Sequence, residues 1–363
     1  MRHNYNVIIS SKYDVNLTLN TSKMRKISFA IFFLSALTLS AEESNHDEIL
    51  NLRAEARLDY QRDWLDGTAV NNNSGFEGKF INLRVDGNIT SNLSYSWRQR
   101  LNKHHNDGNY FDATDWIYLN YNYDKWSFAG GKQVVAIGGW EYDRAPIDLY
   151  GCSVFWNNIP CYEIGASVAY HINPSNTLSF QFCESPFFTT ANRNMYAYNL
   201  MWTGNYGIFQ TIYSANLIEY ISGHYINYIA LGNKFTIDAF TLELDVLNRA
   251  SSHQQFLFKD MSIMGEISYM PADKWKIFGK MTYDVNHSGT DADITVHNGT
   301  EMKMAGIGIE FFPIKDHRQT LRFHANAFYS WGKNANTADI MQNKTTIVDI
   351  GVKWNMNLLS LKR

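Results

Sequence analysis

The sequence predicts an all-β protein, a transmembrane antiparallel β-barrel of about 16 strands whose long third outer loop folds into the lumen. Three observations lead to this prediction. Apolar and polar residues alternate along many short segments, long and short connections alternate between those segments, and aromatic residues are abundant. Side chains of a strand alternate between its two faces, so this pattern separates an apolar face from a polar one.

The front of the chain has the features of an export signal. A basic start at residues 24–26 precedes an apolar run at 27–39, and small residues follow up to Ala41. This order predicts a secretory signal peptide at residues 24–41, cleaved after Ala41. The run is shorter than the roughly 20 residues that a membrane-spanning helix needs.

Residues 1–23 are polar and carry no regular pattern. We interpret them either as the product of a start codon assigned too early, with Met24 as the true initiator, or as an extended n-region. Residues 42–363 are predicted to form a single outer-membrane β-barrel. With a net charge of −3, the chain gives no indication of nucleic-acid binding.

The first strand shows the alternation most clearly, because apolar and polar residues alternate without a fault from Leu50 to Gln61. Sixteen such segments are bounded by turn residues, and most approach the roughly 9–11 residues of a tilted membrane strand. They span residues 50–63, 77–89, 92–101, 114–123, 125–132, 162–171, 177–183, 195–203, 205–214, 225–235, 240–248, 260–269, 274–284, 302–312, 319–330 and 344–357.

Long and short connections alternate between these segments. The long ones are residues 64–76, 102–113, 133–161, 184–194, 215–224, 249–259, 285–301 and 331–343. Bacterial outer-membrane barrels combine long outer loops, short periplasmic turns and an even number of strands. The alternative fold, a soluble β-sandwich, gives no reason for this alternation.

The third long connection, residues 133–161, contains the apolar run Val-Val-Ala-Ile-Gly-Gly-Trp at 134–140. This run is too apolar for a loop in water, so we expect the connection to fold into the barrel and pack on its wall. A solvated loop with a small local core is the alternative. The charged residues that follow the run are predicted to line a constriction: Glu141, Asp143, Arg144 and Asp148.

Strand parity assigns a set of arginines to the inward face of the first three strands: Arg53, Arg57, Arg84, Arg98 and Arg100. Lys132 is predicted to line the pore with them, but it points inward only if Gly130 and Gly131 bulge the fifth strand. Acidic residues outnumber basic ones on the later strands. The sequence therefore predicts a basic wall facing a more acidic wall; charges that wet the lumen or pair across strands are the alternative.

Residue patterns typical of catalysis or metal binding are weak. His104, His105, His253, His287 and His297 fall in predicted outer loops without ligand spacing, and no G-x-S-x-G motif is present. We therefore predict no catalytic residues, no metal site and no cofactor. Among the three cysteines, Cys152 and Cys161 flank one loop segment and are the candidates for a disulfide.

Two stretches resemble the strand-to-constriction segment of the phosphate-selective porin O and P family: residues 131–133 (Gly-Lys-Gln) and 137–141 (Ile-Gly-Gly-Trp-Glu). Residues 96–101, 111–117, 142–148 and 225–232 are similar to the Bacteroidota porins of that family. The resemblance implies a trimeric outer-membrane porin with lumenal arginines and constriction lysines. Lys132 and Arg144 are the residues it carries over as anion contacts.

These observations predict an outer-membrane porin of a Gram-negative bacterium, which gives passive diffusion of small hydrophilic solutes and ions and, by the resemblance, prefers anions such as phosphate. The predicted partners are those solutes, outer-membrane lipid and further copies of the chain in a homotrimer. A surface adhesin or glycan-binding barrel that acts through its outer loops is the alternative. An outer-membrane hydrolase is disfavoured because no catalytic constellation is present.

Overall fold

A computed structural model describes residues 48–103, 110–189, 192–252, 254 and 257–363. The predicted signal peptide at 24–41, the preceding residues 1–23, and His104, His105 and His253 lie outside the described residues. Across the part of the chain that is described, no helix combines the length and apolar character needed to cross a membrane.

Within the described residues, sixteen long antiparallel strands form one sheet. They are β1 (Glu48–Leu65), β2 (Gly75–Asn88), β3 (Leu93–Arg100), β4 (Thr114–Tyr123), β5 (Trp126–Val134), β6 (Tyr162–Asn173), β7 (Asn176–Glu184), β8 (Tyr196–Asn205), β9 (Phe209–Ile221), β10 (His224–Ile237), β11 (Phe240–Ser251), β12 (Asp260–Ala272), β13 (Trp275–Asn286), β14 (Thr300–Phe311), β15 (Leu321–Lys333) and β16 (Thr345–Lys362). A two-residue strand, Thr68–Ala69, pairs with the end of β1.

The sheet closes into a barrel because β1 pairs with both β2 and β16. All other neighbours in space are neighbours in sequence. The seam strands β1 and β16 are the longest, at 18 residues each, and extend beyond the strands on either side at the short-turn end. Closure removes the free edges that an open sheet would present. The predicted fold class, a closed antiparallel barrel of sixteen strands, is confirmed.

The two faces of the wall differ as the alternation predicts. On β1, Arg57 and Asp59 are only 3% and 2% exposed, whereas Leu58 and Tyr60 are 42% and 43% exposed. Comparable apolar side chains cover the outward face of the other strands, among them Ile267, Ile307 and Ile350. Such a continuous apolar surface is stable in contact with lipid but not in contact with water.

Aromatic side chains pair across neighbouring strands beside the short turns. Trp126 and Tyr170 have ring centroids 4.7 Å apart, and Trp275 and Phe311 are 4.5 Å apart. Rings with an apolar body and a polar edge are typical of the membrane–water interface. The short-turn end of the barrel therefore carries an aromatic belt.

The prediction that residues 215–224 form a long outer loop is wrong. β9 continues to Ile221, and a two-residue turn leads directly into β10, with Gly223 at a φ of +76°. The inward residues Ile218 and Ile226 are fully buried in an apolar cluster that also contains Phe155 of the third connection. Because both faces of the wall are apolar here, the alternation that reveals a strand disappears from the sequence.

The connection between β5 and β6, residues 135–161, is called L3 below. It contains two short helices, α1 (Trp140–Asp143) and α2 (Val154–Asn158), and a 3-10 turn at Pro146–Asp148. Other 3-10 turns lie at Asn71–Asn73, Tyr110–Ala113 and Lys315–His317.

The candidate disulfide is absent, since all three cysteines of the described residues are free thiols. Cys152 and Cys161 lie on opposite sides of α2 in the chain. The Cys161 sulfur contacts the backbone carbonyl of Ile159 at 3.5 Å instead of a second sulfur. Burial raises the pKa of the Cys152 thiol to about 12, which keeps it protonated.

Candidate pore constriction

L3 runs through the interior of the barrel, where its backbone binds inward side chains of the wall. The amide of Gly138 donates to the Ser214 hydroxyl of β9 at 2.8 Å. The amides of Trp140 and Glu141 donate to the two carboxylate oxygens of Asp245 on β11, at 2.8 and 2.7 Å. Since Ser214 and Asp245 lie on the inward face, these contacts place L3 inside the wall.

Arg144 continues this attachment to the far wall, by which we mean the inward faces of β10–β14. Its guanidinium donates to Glu243 of β11 and, at 2.7 Å, to Glu266 of β12. Burial alone would lower the pKa of Arg144, but these two carboxylates raise it well above its usual range. Arg144 is therefore shared between two wall carboxylates, which also lie beside Lys234 and Lys276 of the wall itself.

Glu141 forms a second ionic attachment to the far wall. Its carboxylate lies 2.8 Å from the ammonium of Lys280 on β13, which is fully buried. It also accepts a hydrogen bond of 2.5 Å from the Ser153 hydroxyl within L3. Glu141 is thus occupied in holding the loop together and does not present a free charge to the lumen.

The next part of L3 lies against the seam between β15, β16 and β1. Asp148 accepts hydrogen bonds from Lys353 at 2.6 Å and forms an ion pair with Arg322 at 2.8 Å. Burial alone would raise the pKa of Asp148, but Lys353 and Arg322 hold it well below its usual range. Arg57 of β1 donates to the Leu149 carbonyl at 2.8 Å. L3 is therefore fixed to opposite sides of the barrel.

Helix α2 joins L3 to the outer loops. The Val154 amide donates to Asp284 of β13 at 2.9 Å. The side-chain amide of Asn158 donates to the Thr295 carbonyl at 3.1 Å and to Asp339 at 2.7 Å. Thr295 and Asp339 belong to the last two outer connections, so the outer side of L3 is packed beneath those loops.

The near wall, by which we mean the inward faces of β1–β4, carries the five predicted arginines, and all five lie on the inward side. Arg53 and Arg84 each lie 2.7 Å from Asp86. Arg98 lies 2.8 Å from Asp115 and 4.3 Å from the centre of the Trp116 ring. Charges on this wall pair across neighbouring strands, which is the alternative that the sequence left open.

Arg100 and Arg57 complete the set. Arg100 lies 3.8 Å from Asp115 and 4.9 Å from the Phe80 ring, and it is 2% exposed. Arg57 contacts Asp59 at 2.7 Å in addition to L3. These two guanidiniums are thus packed within the wall, and Arg57 also fixes the loop.

The prediction that Lys132 lines the pore is wrong. The pairing of β5 is regular through Gly130 and Gly131, so the bulge that the prediction required is absent, and Lys132 lies opposite Ile117 and Ile164. Both isoleucines face outward and are more than 40% exposed. The Lys132 ammonium instead donates to the Phe111 carbonyl at 3.0 Å, at the outer rim.

Asp115 and Trp116 are site residues that sequence reasoning missed. Parity alone assigns Asp115 to the outward face. A register shift between Arg98 and Gln99 turns it inward, where it is 1% exposed. The sequence contains no signal for this irregularity, because neither glycine nor proline accompanies it.

The partly exposed inward charges are of both signs. The basic ones include Arg53, Lys79, Arg144, Lys234 and Lys276, and the acidic ones include Glu55, Glu77, Asp86, Asp143 and Asp148. Burial raises the pKa of Asp143 to about 7. Near neutral pH this carboxyl is therefore protonated about half of the time, which lowers its average negative charge.

Comparison with known proteins agrees with this architecture. Residues 50–209 match the family described as phosphate-selective porin O and P. Among curated proteins, none matches the chain.

Three solved structures are similar at full-barrel scale. An anion-selective porin from Comamonas acidovorans has 11% identity and a TM-score of 0.59, with 85% of this chain and 100% of that chain covered. The outer membrane channel DcaP of Acinetobacter baumannii has 12% identity and a TM-score of 0.60, with 86% and 99% covered. OmpT of Vibrio cholerae in its trimer form has 12% identity and a TM-score of 0.58, with 85% and 100% covered. At these identities the likeness is one of fold.

Proposed function

We propose that this barrel of the Gram-negative outer membrane, which resembles the phosphate-selective porin O and P family over residues 50–209, is a passive channel for small hydrophilic solutes and ions. The proposed role is conduction rather than catalysis. One observation carries it: a closed barrel with an apolar outer face holds a loop across its charged interior. A fixed internal loop narrows a water-filled barrel and so sets which solutes pass.

The constriction that we propose lies where L3 faces the near wall, with Arg144 and Asp148 as its partly exposed charges. Their side chains are 14% and 19% exposed, whereas Glu141 is buried against Lys280. Arg53, Arg84, Arg98 and Arg100 lie in the opposite wall, where Arg53 is partly exposed and the other three are buried. Because each of these arginines has a carboxylate nearby, this wall has only a modest positive potential.

We further propose a weak preference for anions. The partly exposed charges of the lumen nearly balance, and Asp143 carries only part of its negative charge at neutral pH. A balanced lumen holds phosphate less tightly than a channel lined by unpaired cations. Passage of many small anions is therefore expected, with little block by phosphate.

We also propose that the chain acts as a homotrimer. A structurally similar protein, OmpT of Vibrio cholerae, is described in a trimer form. Cross-linking of the protein in native membranes, followed by denaturing electrophoresis, tests this part. A ladder that stops at three copies is expected, and a monomer at every cross-linker concentration would contradict it.

The test of conduction uses residues 42–363 refolded into a planar bilayer. Single-channel conductance and the reversal potential in a KCl gradient are measured, and phosphate is then added. We expect open channels, a small anion-directed reversal potential and little block by phosphate. A folded protein that never conducts contradicts the proposal, and strong phosphate block contradicts the weak-selectivity part alone.

A further inference from the structure

Three side chains converge on the seam of the barrel, beside L3 but outside the constriction. Asp59 of β1 and His324 of β15 both lie opposite Gly351 of β16, and Asp349 precedes Gly351 on the same face. All three side chains are buried, with 2%, 3% and 6% of their surface exposed. They come from strands at opposite ends of the sequence, so no spacing motif could reveal them.

Gly351 creates the space in which they meet. A Cβ atom at this position would lie 2.2 Å from Asp59 Oδ1 and 2.6 Å from His324 Nε2. Any other residue would therefore push the carboxylate and the imidazole apart. The glycine keeps a small polar cradle open between the three strands.

The histidine is held there without ordinary hydrogen bonds. His324 Nε2 lies 3.1 Å from Asp59 Oδ1 and 3.4 Å from Asp349 Oδ1. Within the described residues, neither ring nitrogen of His324 has a hydrogen-bond partner of acceptable geometry. A buried imidazole nitrogen thus points between two carboxylate oxygens and bonds to neither.

This donor set has the spacing of metal ligands. Nitrogen and oxygen donors bound at about 2.0–2.1 Å to a tetrahedral ion lie about 3.3 Å from one another. The separations of His324 Nε2 from the two carboxylate oxygens, 3.1 and 3.4 Å, bracket that value, and all three donor atoms lie within 4.8 Å of one another. We propose that Asp59, His324 and Asp349 form a binding site for a divalent transition-metal cation, of which Zn²⁺ is the best example.

The surrounding charges limit the affinity. Arg57 donates to Asp59 at 3.0–3.1 Å and lies 3.7 Å from Asp349, so one cation already faces the two carboxylates. Asn326 donates to Asp349 Oδ1 at 3.0 Å, and the Tyr150 ring covers the imidazole at 4.8 Å. Two carboxylates, one imidazole and one guanidinium leave a net negative site for a dication. Mixed imidazole and carboxylate donors favour Zn²⁺ or Co²⁺ over Ca²⁺ and Mg²⁺.

Calorimetric titration of the refolded barrel in detergent with Zn²⁺ tests this site, with Co²⁺ absorption spectra as a second readout of coordination. We expect saturable binding of a single Zn²⁺ per chain and tetrahedral Co²⁺ bands. Both are expected to be lost in His324→Ala. His171→Ala is the matched control, because His171 lies in the lumen on β6 and already bonds to Ser127 and Thr177.

Asp349→Asn provides a second variant that keeps the shape of the side chain, in case His324→Ala fails to fold. Heat-modifiable migration in electrophoresis confirms that each variant is a closed barrel. Binding that is equal in wild type, His324→Ala and Asp349→Asn would overturn the proposal, and so would a wild-type protein that binds no Zn²⁺. Neither readout depends on conduction, so the outcome is separate from that of the proposed function.

Discussion

The near wall and the far wall of this barrel differ in how their buried charges are paired. Both walls contain charged side chains that are shielded from bulk water. A charge in such surroundings is costly unless it is paired. On the near wall, strands pair with strands, as Arg98 does with Asp115. On the far wall, L3 supplies partners in addition to the strand lysines: the Trp140 and Glu141 amides bind Asp245, and Arg144 binds two glutamates.

This difference shows that a loop inside the barrel can determine which wall charges still contribute to the electrostatic potential of the lumen. The near wall is electrically complete before L3 is considered. The far wall is complete only with L3 in place, because Asp245 accepts its hydrogen bonds from L3 amides, and Arg144 adds a cation to those that Lys234 and Lys276 already provide beside Glu243 and Glu266. We therefore expect substitutions in the two walls to have different consequences, and four predictions test this difference, beginning with the largest expected effect.

The largest effect is expected from Asp245→Ala. The substitution removes the acceptor of two L3 amides and leaves both donors buried, at a cost of about 3 kcal/mol or more. We expect a larger and noisier single-channel conductance, because the first half of L3 is no longer fixed to the wall. Conductance equal to that of the wild type would show that the loop is held without Asp245.

The next largest effect is expected from Arg144→Gln. Glu243 and Glu266 lose their shared cation and add negative charge to the lumen, so the reversal potential is expected to shift toward cations. Lys132→Gln is the matched control, because it removes the same charge from the outward face. An equal shift in both variants would mean that surface charge, and not the constriction, sets selectivity.

A smaller effect is expected from pH. Asp143 has a pKa of about 7, so it gains a proton as the pH falls through neutrality and loses its negative charge. The anion preference is therefore expected to rise between about pH 8 and about pH 6, and to rise less in Asp143→Asn. Reversal potentials measured in steps across this range provide the test. A slope of the same size in Asp143→Asn would assign the titration to another group.

The smallest effect is expected on the near wall, from Arg98→Lys. Lysine keeps the charge beside Asp115 but loses the flat contact of the guanidinium with Trp116, worth about 1 kcal/mol. A small loss of stability in urea with unchanged selectivity is expected. A large change in selectivity would contradict the view that this wall is electrically complete without L3.

The strand pattern could be read from the sequence because lipid and lumen impose opposite demands on alternate residues. That is why the inward positions of Arg53, Arg57 and Arg84 are those that parity predicts. The same logic failed at β9 and β10, where Ile218 faces inward against L3 and alternation is lost. A pattern argument works only where the two faces meet different surroundings.

The partners within the site could not be predicted in this way. Trp140 and Asp245 are 105 residues apart, and nothing local marks either as the partner of the other. The register shift that turns Asp115 inward also carries no sequence signal. The sequence therefore indicates which charged residues face inward. Which of them pair with one another, and hence how much charge they present to the lumen, can be seen only in the folded barrel.

The long seam between β1 and β16 has a consequence for the order of folding. It joins the two ends of the described chain, so its closure is the least local event in the molecule and carries the largest loop-closure entropy. Arg57, Arg322 and Lys353, which hold the later part of L3, lie on or beside this seam. That part of L3 acquires its full set of contacts only when the last strand has paired with the first, so the channel is narrowed last.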